Sequence, residues 1–104
     1  MKTITEVARV IRSKNCSPFE LTLDIMFRED QDYEKVKRCN LITRELVAGL
    51  YGVELERVGR VIHFDPARAV KIGLRRVLPS GSPGDTDVYG AQQHAPLLRI
   101  RLDL

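Results

Sequence analysis

The stretch that decides the fold is Phe19-Glu20-Leu21-Thr22-Leu23-Asp24-Ile25-Met26-Phe27, in which every odd position is large and apolar. The even positions are mostly polar, and this alternation is typical of a strand that buries one face. A slip of one residue would expose five large side chains to water, so the register should be firmly held. The segment therefore predicts a half-buried β-strand.

Three later segments also have strand patterns. Residues 58–64 are apolar on both faces except at Arg60 and His63, which predicts a central strand. Pro66 ends this segment because proline cannot donate a hydrogen bond to a ladder. Residues 70–75 and residues 98–103 alternate between apolar and polar side chains, so the C-terminus is also expected to join the sheet.

Residues 30–51, which lie between these strands, are helical in character. Tyr33 and Val36 belong to a first helical piece. Thr43 is suited to cap the start of a second piece, and Gly52 lies where a left-handed residue commonly ends a helix. Two helices are therefore expected in this block.

Residues 4–11 have two interpretations. Their apolar residues have helical spacing behind a Thr3 and Glu6 capping pair, which favours a short helix. Their last residues and the polar segment that follows equally suit the first arm of a hairpin. Both alternatives stay open at this point.

Strands combined with a central helical block predict an α+β fold. We expect a two-layer sandwich in which a mixed or antiparallel sheet of about four or five strands packs on the helical segment. The chain has 104 residues, of which 43% are hydrophobic. This length suits a single domain over residues 1–104 with a core of its own.

The charge balance is mildly basic, with 17 Lys and Arg against 14 Asp and Glu and a formal net charge of +3. The excess is +1 in residues 1–52 and +2 in residues 53–104, so neither half is a basic arm. No apolar run approaches the length of about 20 residues that spans a bilayer, and no signal peptide is visible. We expect a cytoplasmic protein that binds no membrane, with both cysteines reduced.

The first candidate site is the aperiodic segment of residues 79–96, which contains three glycines and three prolines. It is too long for a simple connector, and such loops are often functional. Its polar side chains could orient a ligand or move a proton. The predicted catalytic residues are Asp85, Asp87 and His94, and the predicted substrate-binding residues of the loop are Tyr89, Gln92 and Gln93. The alternative is an ordered surface loop whose carboxylates make turn hydrogen bonds.

The second candidate is the segment Arg12-Ser13-Lys14-Asn15, which we interpret as a basic polar turn before the strongest strand. Two cations beside a hydroxyl and an amide would suit a carboxylate or phosphate, so these four residues are predicted to bind substrate. A solvated turn is the alternative.

Other chemistry is not favoured by the spacing of residues. The histidines and cysteines lack metal-ligand spacing, and no phosphate-binding glycine motif occurs, so we expect no metal and no cofactor. His63 is interpreted as a hydrogen-bonded core or interface histidine. Arg75, Arg99 and Arg101 would share one sheet face if the last two strands are neighbours. Because that face lacks interleaved aromatics, we expect a solvated face or a protein contact and no nucleic acid there.

The chain resembles the small domain-of-unknown-function family that accompanies acyclic-terpene-utilisation (AtuA-type) proteins in bacterial catabolic operons. The resemblance covers essentially the whole chain. It is carried by residues 10–15, residues 18–27, the Phe64-Asp65-Pro66-Ala67 motif and, above all, residues 79–96.

The resemblance implies a small subunit or accessory domain that docks on a larger AtuA-type protein. With that partner it would help to form a site for a carboxylate- or thioester-bearing metabolite, with a hydro-lyase-type activity suggested by association. The competing hypothesis is a non-catalytic assembly or regulatory module that uses the same loop only as an interface. A homo-oligomer also fits a chain of this size.

Overall fold

A computed structural model of the protein describes residues 1–75 and 94–104. The strands in these ranges are β1 (Lys2–Thr3), β2 (Ala8–Ser17), β3 (Glu20–Phe27), β4 (Val58–Phe64), β5 (Ala69–Arg75) and β6 (Arg101–Leu102). The helices are α1 (Ile4–Val7), α2 (Asp30–Arg38) and α3 (Arg44–Tyr51), together with short 3-10 helices at Leu55–Arg57, Asp65–Ala67 and Ala95–Arg99.

Four strands form an antiparallel sheet in the order β2-β3-β5-β4, and β1 pairs with β6 in a separate two-stranded sheet. The helices cover one face of the four-stranded sheet, where the buried apolar residues form one cluster. The predicted α+β two-layer sandwich is therefore confirmed. We call the opposite face of the four-stranded sheet the outer face.

The alternation in β3 decides which face is buried. Leu21, Leu23, Ile25 and Phe27 are at most 1% exposed and contact the helices through the core cluster. Burying such a side chain stabilises a fold by about 1.5–3 kcal/mol, so these four residues hold the register strongly. Phe19 does not share this face, because it lies in the turn before β3 and is 60% exposed.

The predicted ends of α3 are confirmed. The Leu46 backbone N–H donates to Thr43 Oγ1 at 3.1 Å, which satisfies one of the free amides of the first turn. At the other end Gly52 has a φ of +63°, a left-handed conformation that glycine adopts without a side-chain clash.

Residues 4–11 combine both of the structures considered above. A single helical turn over Ile4–Val7 is followed directly by β2. The Thr3 hydroxyl donates to the Glu6 carboxylate at 3.0 Å and caps no backbone amide. Pairing of β2 with the long β3 ends the helix after one turn, because it offers the backbone a continuous ladder.

The prediction that residues 58–64 form a central strand is wrong. Within residues 1–75 and 94–104, β4 lies at an edge of the sheet and pairs with β5 alone, because β5 takes the position beside β3. Ile62 and Phe64 point to the outer face and are 50% and 45% exposed. The apolar residues on the second face of β4 therefore form an exposed apolar surface instead of a second buried face.

The prediction of a strand over residues 98–103 is confirmed for Arg101–Leu102 and is wrong for the residues before them. Ala95–Arg99 forms a 3-10 helix, and only Arg101–Leu102 pairs, with β1. Arg99 is held against the helical layer, where its Nη2 donates to the Leu50 carbonyl at 2.7 Å. Arg75, Arg99 and Arg101 thus do not share a sheet face, because β6 is not a neighbour of β5.

Among the described residues, no helix is long and apolar enough to cross a membrane. Cys16 and Cys39 are both free thiols, as expected, and both lie at the surface.

Candidate functional site

The outer face is built from rows of side chains that the strand register places side by side. Directly opposed residues of antiparallel strands point to the same face. The first row joins Val10, Met26, Ala69 and Phe64, and the second joins Arg12, Asp24, Lys71 and Ile62. The third joins Lys14, Thr22 and Gly73, and the fourth joins Ser17, Glu20 and Arg75.

An ion cluster occupies the second row. Asp24 is completely buried, and its two oxygens accept separate hydrogen bonds. Arg12 Nε donates to Oδ2 at 2.9 Å, and Lys71 Nζ donates to Oδ1 at 3.1 Å. The two cations therefore satisfy a carboxylate that would otherwise be very costly to bury.

These contacts determine the charge state of Asp24. Burial by itself raises the pKa of the carboxyl, but the hydrogen bonds from Arg12 and Lys71 and their positive charges outweigh it. The pKa of Asp24 consequently lies below its ordinary value, and the group is ionised at neutral pH. The cluster is a fixed internal ion network across three strands.

The third and fourth rows end at a small cleft. Its volume is about 100 Å³, and its lining combines two glycines with charged side chains: Glu20, Glu56, Arg57, Gly59, Gly73, Leu74 and Arg75. A Cβ on Gly59 would lie 3.4 Å from the Gly73 carbonyl oxygen, so the strands approach closely there. The bare backbone leaves space on the sheet beside Arg75.

The interpretation of residues 12–15 as a turn is wrong, because all four lie within β2 and the turn comes at residues 18–19. Strand alternation also divides them between two faces. Arg12 and Lys14 point to the outer face, whereas Ser13 and Asn15 point to the helical side and each have an interaction partner. Arg12 binds Asp24 of the chain itself, and Lys14 has no ion-pair partner within residues 1–75 and 94–104.

Five of the predicted loop residues, Asp85, Asp87, Tyr89, Gln92 and Gln93, lie outside the described residues. His94 is described and stands at the start of the 3-10 helix Ala95–Arg99, which contacts α1 and α3. It is half-buried and has an interaction partner. The roles predicted for these six residues stay predictions.

A second polar cluster lies on the helical side, at the end of β4. The Tyr33 hydroxyl donates to Asp65 Oδ1 at 2.5 Å, and Lys37 Nζ donates to both oxygens of Asp65 at 2.9 and 3.0 Å. The His63 ring is 6.4 Å from the Tyr33 ring, centroid to centroid. These contacts tie α2 to the Asp65-Pro66 corner of the Phe64-Asp65-Pro66-Ala67 motif.

The members of this cluster shift one another's ionisation. Hydrogen bonds from Tyr33 and Lys37 lower the pKa of Asp65, and burial together with the Asp65 carboxylate raises the pKa of Tyr33. Asp65 is therefore a carboxylate and Tyr33 a neutral phenol at physiological pH.

Comparison with known proteins shows the family of the chain. A family described as a domain of unknown function, DUF4387, matches residues 4–101. The chain belongs to the DUF4387 family. No curated protein and no solved structure matches it. The match spans both polar clusters of this DUF4387 domain.

His63 of the DUF4387 domain lacks the hydrogen bond expected from the sequence at one of its two ring nitrogens, as far as the described residues show. Within the described part of the chain, its Nε2 is buried and has no hydrogen-bond partner. Burial and the Lys37 charge lower the pKa of His63, although the Asp65 carboxylate opposes them. The imidazole is therefore neutral in the fold at pH 7.

We expect the DUF4387 domain to lose stability as the pH falls below about 6.5, the ordinary pKa of histidine. The unfolded chain binds a proton at His63 more readily than the folded chain, so acidification favours unfolding until the lower folded pKa is passed. Thermal melts between pH 7.5 and pH 5 test this. The variant His63→Gln should have a flatter profile over the same range, and an unchanged slope would contradict the assignment to His63.

Sequence reasoning missed Asp24, Lys71, Tyr33, Lys37 and Asp65 as interacting residues. A signal for the first pair was present, since a carboxylate lies in the middle of the strongest strand pattern and a lysine lies in another strand pattern. The pairing of those strands, on which the contact depends, has no local signal. No group of three or more possible metal ligands occurs among the described residues.

Proposed function

We propose that this DUF4387 domain is a small accessory subunit of a larger AtuA-type protein and helps to form a site for a carboxylate- or thioester-bearing metabolite. The proposed site lies where the third and fourth rows of the outer face meet the cleft. The larger partner would supply the remainder of the site. A hydro-lyase-type reaction is the proposed activity of the pair.

One observation carries this proposal. The strand register places Lys14 in the same row as Gly73, which lies two residues before Arg75 on β5. Residues 76–93 follow Arg75 in the chain. Neighbouring strands lie about 4.8 Å apart, so roughly 10 Å separates the Lys14 and Gly73 backbones. The long lysine side chain can cover most of that distance. Lys14 and Arg75, the residue that precedes residues 76–93 in the chain, thus lie toward the same end of the sheet.

The ion pairs of the outer face indicate which cations remain for a ligand. Arg12 and Lys71 are bound to Asp24, whereas Lys14 and Arg75 have no ion-pair partner among the described residues. We therefore assign the anion-binding role to Lys14 and Arg75, with Arg12 as an indirect contributor. Asp85, Asp87 and His94 keep their proposed roles in proton transfer, and Tyr89, Gln92 and Gln93 keep theirs in orienting the substrate.

The test is to reconstitute this chain with the AtuA-type protein and to measure turnover of a branched carboxylate and of its thioester. Lys14→Ala and Arg75→Ala should each lower kcat/KM about tenfold or more, because a charge-assisted hydrogen bond to the substrate is lost. Asp87→Ala and His94→Ala should abolish turnover. Arg38→Ala, which removes an exposed cation on α2, is the matched control and should leave turnover unchanged.

The stability of the complex distinguishes this proposal from its competitor. If turnover is lost while the complex persists, the metabolite site is supported. If Lys14→Ala and Asp87→Ala leave turnover unchanged, the assignment of the site is wrong. If the substitutions instead dissociate the two proteins, the domain is a non-catalytic interaction module, a function that the exposed apolar residues of β4 also favour.

A further inference from the structure

The first row of the outer face is an apolar strip that crosses the whole sheet. Val10, Met26, Ala69 and Phe64 follow one another on the four strands, and Ile62 lies beside Phe64 on β4. Four strands span roughly 14 Å at a spacing of about 4.8 Å. Phe64 and Ile62 are about half exposed, Val10 and Met26 are partly buried, and Ala69 is completely buried, so the accessible apolar area is centred on β4. No described helix packs on this face. We call these five residues the apolar strip.

Cations border the apolar strip. Arg9 Nη2 lies 3.9 Å from Met26 Sδ, and Lys71 Nζ lies 5.8 Å from the centre of the Phe64 ring. Arg12, in the next row, has a side chain that is 47% exposed. The nearby carboxylate, Asp24, is completely buried and is bound by two cations. The described side chains that border the strip on the outer face, three cations and one buried carboxylate, therefore carry a net positive charge.

The charge distribution argues against a second copy of this chain as the occupant. If two copies docked face to face, Arg9, Arg12 and Lys71 of one would approach the same cations of the other. Like charges opposed across an interface disfavour association. Single-stranded nucleic acid is also a poor fit, because it stacks its bases on successive aromatic rings and Phe64 is the sole aromatic side chain of the strip.

We propose that the apolar strip docks an acidic protein surface, in which an apolar centre contacts Phe64 and Ile62 and carboxylates surround it. This inference rests on the proposed function, because the acidic surface that docks on the strip would belong to the larger partner. The metabolite site lies in the third and fourth rows, so the two parts of the outer face can be tested separately.

The first experiment measures the affinity of this chain for the AtuA-type protein by isothermal titration calorimetry. Phe64→Ser and Ile62→Ser should each raise Kd about tenfold or more, because aromatic and aliphatic anchors at the centre of an interface carry much of the affinity. Arg9→Glu should raise Kd and reduce its dependence on salt. The matched control is Leu98→Ser, which changes an apolar residue that is 44% exposed in the helical layer and should leave Kd unchanged.

The second experiment needs no larger partner. A synthetic amphipathic peptide with leucines on one face and glutamates on the other is titrated into isotopically labelled protein, and a peptide with lysine in place of glutamate serves as its control. The acidic peptide should bind at least tenfold more tightly and shift the amide signals of residues 10, 26, 62 and 64. Phe64→Ser should remove these shifts while the circular dichroism spectrum stays native.

The outcomes separate the two proposals. If the acidic peptide binds the strip and the AtuA-type protein does not bind, the surface is supported and the proposed function is wrong. If the AtuA-type protein binds equally well to wild type and to Phe64→Ser, the docking surface is wrong and the function stands. Equal binding of both peptides, dimerisation through the strip, or preferential binding of RNA or of anionic lipid vesicles would each overturn the docking proposal.

Discussion

The double substitution Arg12→Met/Lys71→Met is expected to lower the free energy of unfolding at pH 7 by about 3 kcal/mol. Both replacements keep a long apolar stem but remove the charges that compensate Asp24, which is completely buried. An uncompensated buried carboxylate is strongly destabilising. We place the effect at the lower end of the usual range because the two cations are themselves partly exposed. Urea unfolding measures the change.

Two further variants provide the controls. Lys14→Met/Arg75→Met removes two cations of the same face that have no ion-pair partner among the described residues, and it should change the free energy of unfolding by less than about 0.5 kcal/mol. The triple substitution Arg12→Met/Asp24→Leu/Lys71→Met should recover most of the lost stability, because it also removes the buried charge. Failure of the triple variant to recover would mean that packing, and not the charge of Asp24, determines the effect.

In the wild type, Asp24 makes the free energy of unfolding rise with pH. In the double variant, Asp24 should make the free energy of unfolding fall with pH. In the wild type the pKa of Asp24 is lowered, so its contribution is present above the ordinary pKa and is lost as the pH falls through the folded value. Without the two cations, burial alone raises that pKa. The double variant should therefore gain stability relative to wild type when the pH falls from 7 to 5.

The second large effect is expected at Tyr33, where Tyr33→Ala should lower the free energy of unfolding by about 3–5 kcal/mol. The side chain is 1% exposed, and its ring lies 6.2 Å from the Phe27 ring, centroid to centroid. Removal of a fully buried aromatic ring leaves a cavity between α2 and the sheet. Tyr33→Phe keeps the ring and loses only the hydrogen bond to Asp65, so it should cost about 1 kcal/mol.

Phe19 offers the matched control for Tyr33. It is an aromatic residue that is 60% exposed in the turn before β3, and Phe19→Ala should change the stability by less than about 0.5 kcal/mol. If Tyr33→Phe were as destabilising as Tyr33→Ala, the hydrogen bond to Asp65 and not the ring would hold α2 in place. Chemical denaturation of the three variants decides between these possibilities.

Elements with a strong local signal could be predicted from the sequence. The alternation around Leu23 specified β3 and its buried face, Thr43 and Gly52 specified both ends of α3, and the mixture of patterns specified the fold class. The position of β4 could not be predicted in this way. Strand order depends on contacts between residues far apart in the chain, and an open outer face leaves apolar residues such as Phe64 exposed.

The candidate site shows the same limit. The sequence marked Arg12 and Lys14 as cations of interest but placed them in a turn together with Ser13 and Asn15. In the structure the pleat of β2 separates the four residues onto two faces, and Arg12 is bound to Asp24. The cluster of Tyr33, Lys37 and Asp65 could not be predicted from the sequence, because Tyr33 and Lys37 belong to α2 whereas Asp65 follows β4 in the chain.

The sequence by itself determined the two helices within residues 30–51, the half-buried strand β3 and the segments rich in polar side chains, because these properties arise from periodicity and from the conformations of single residues. Only the tertiary structure decided that β5 separates β3 from β4, that Arg12 and Lys71 compensate a buried Asp24, and that Lys14 shares a row with Gly73. Each of these follows from strand register. Register fixes distances between residues remote in sequence, and it is selected by the packing of the whole core.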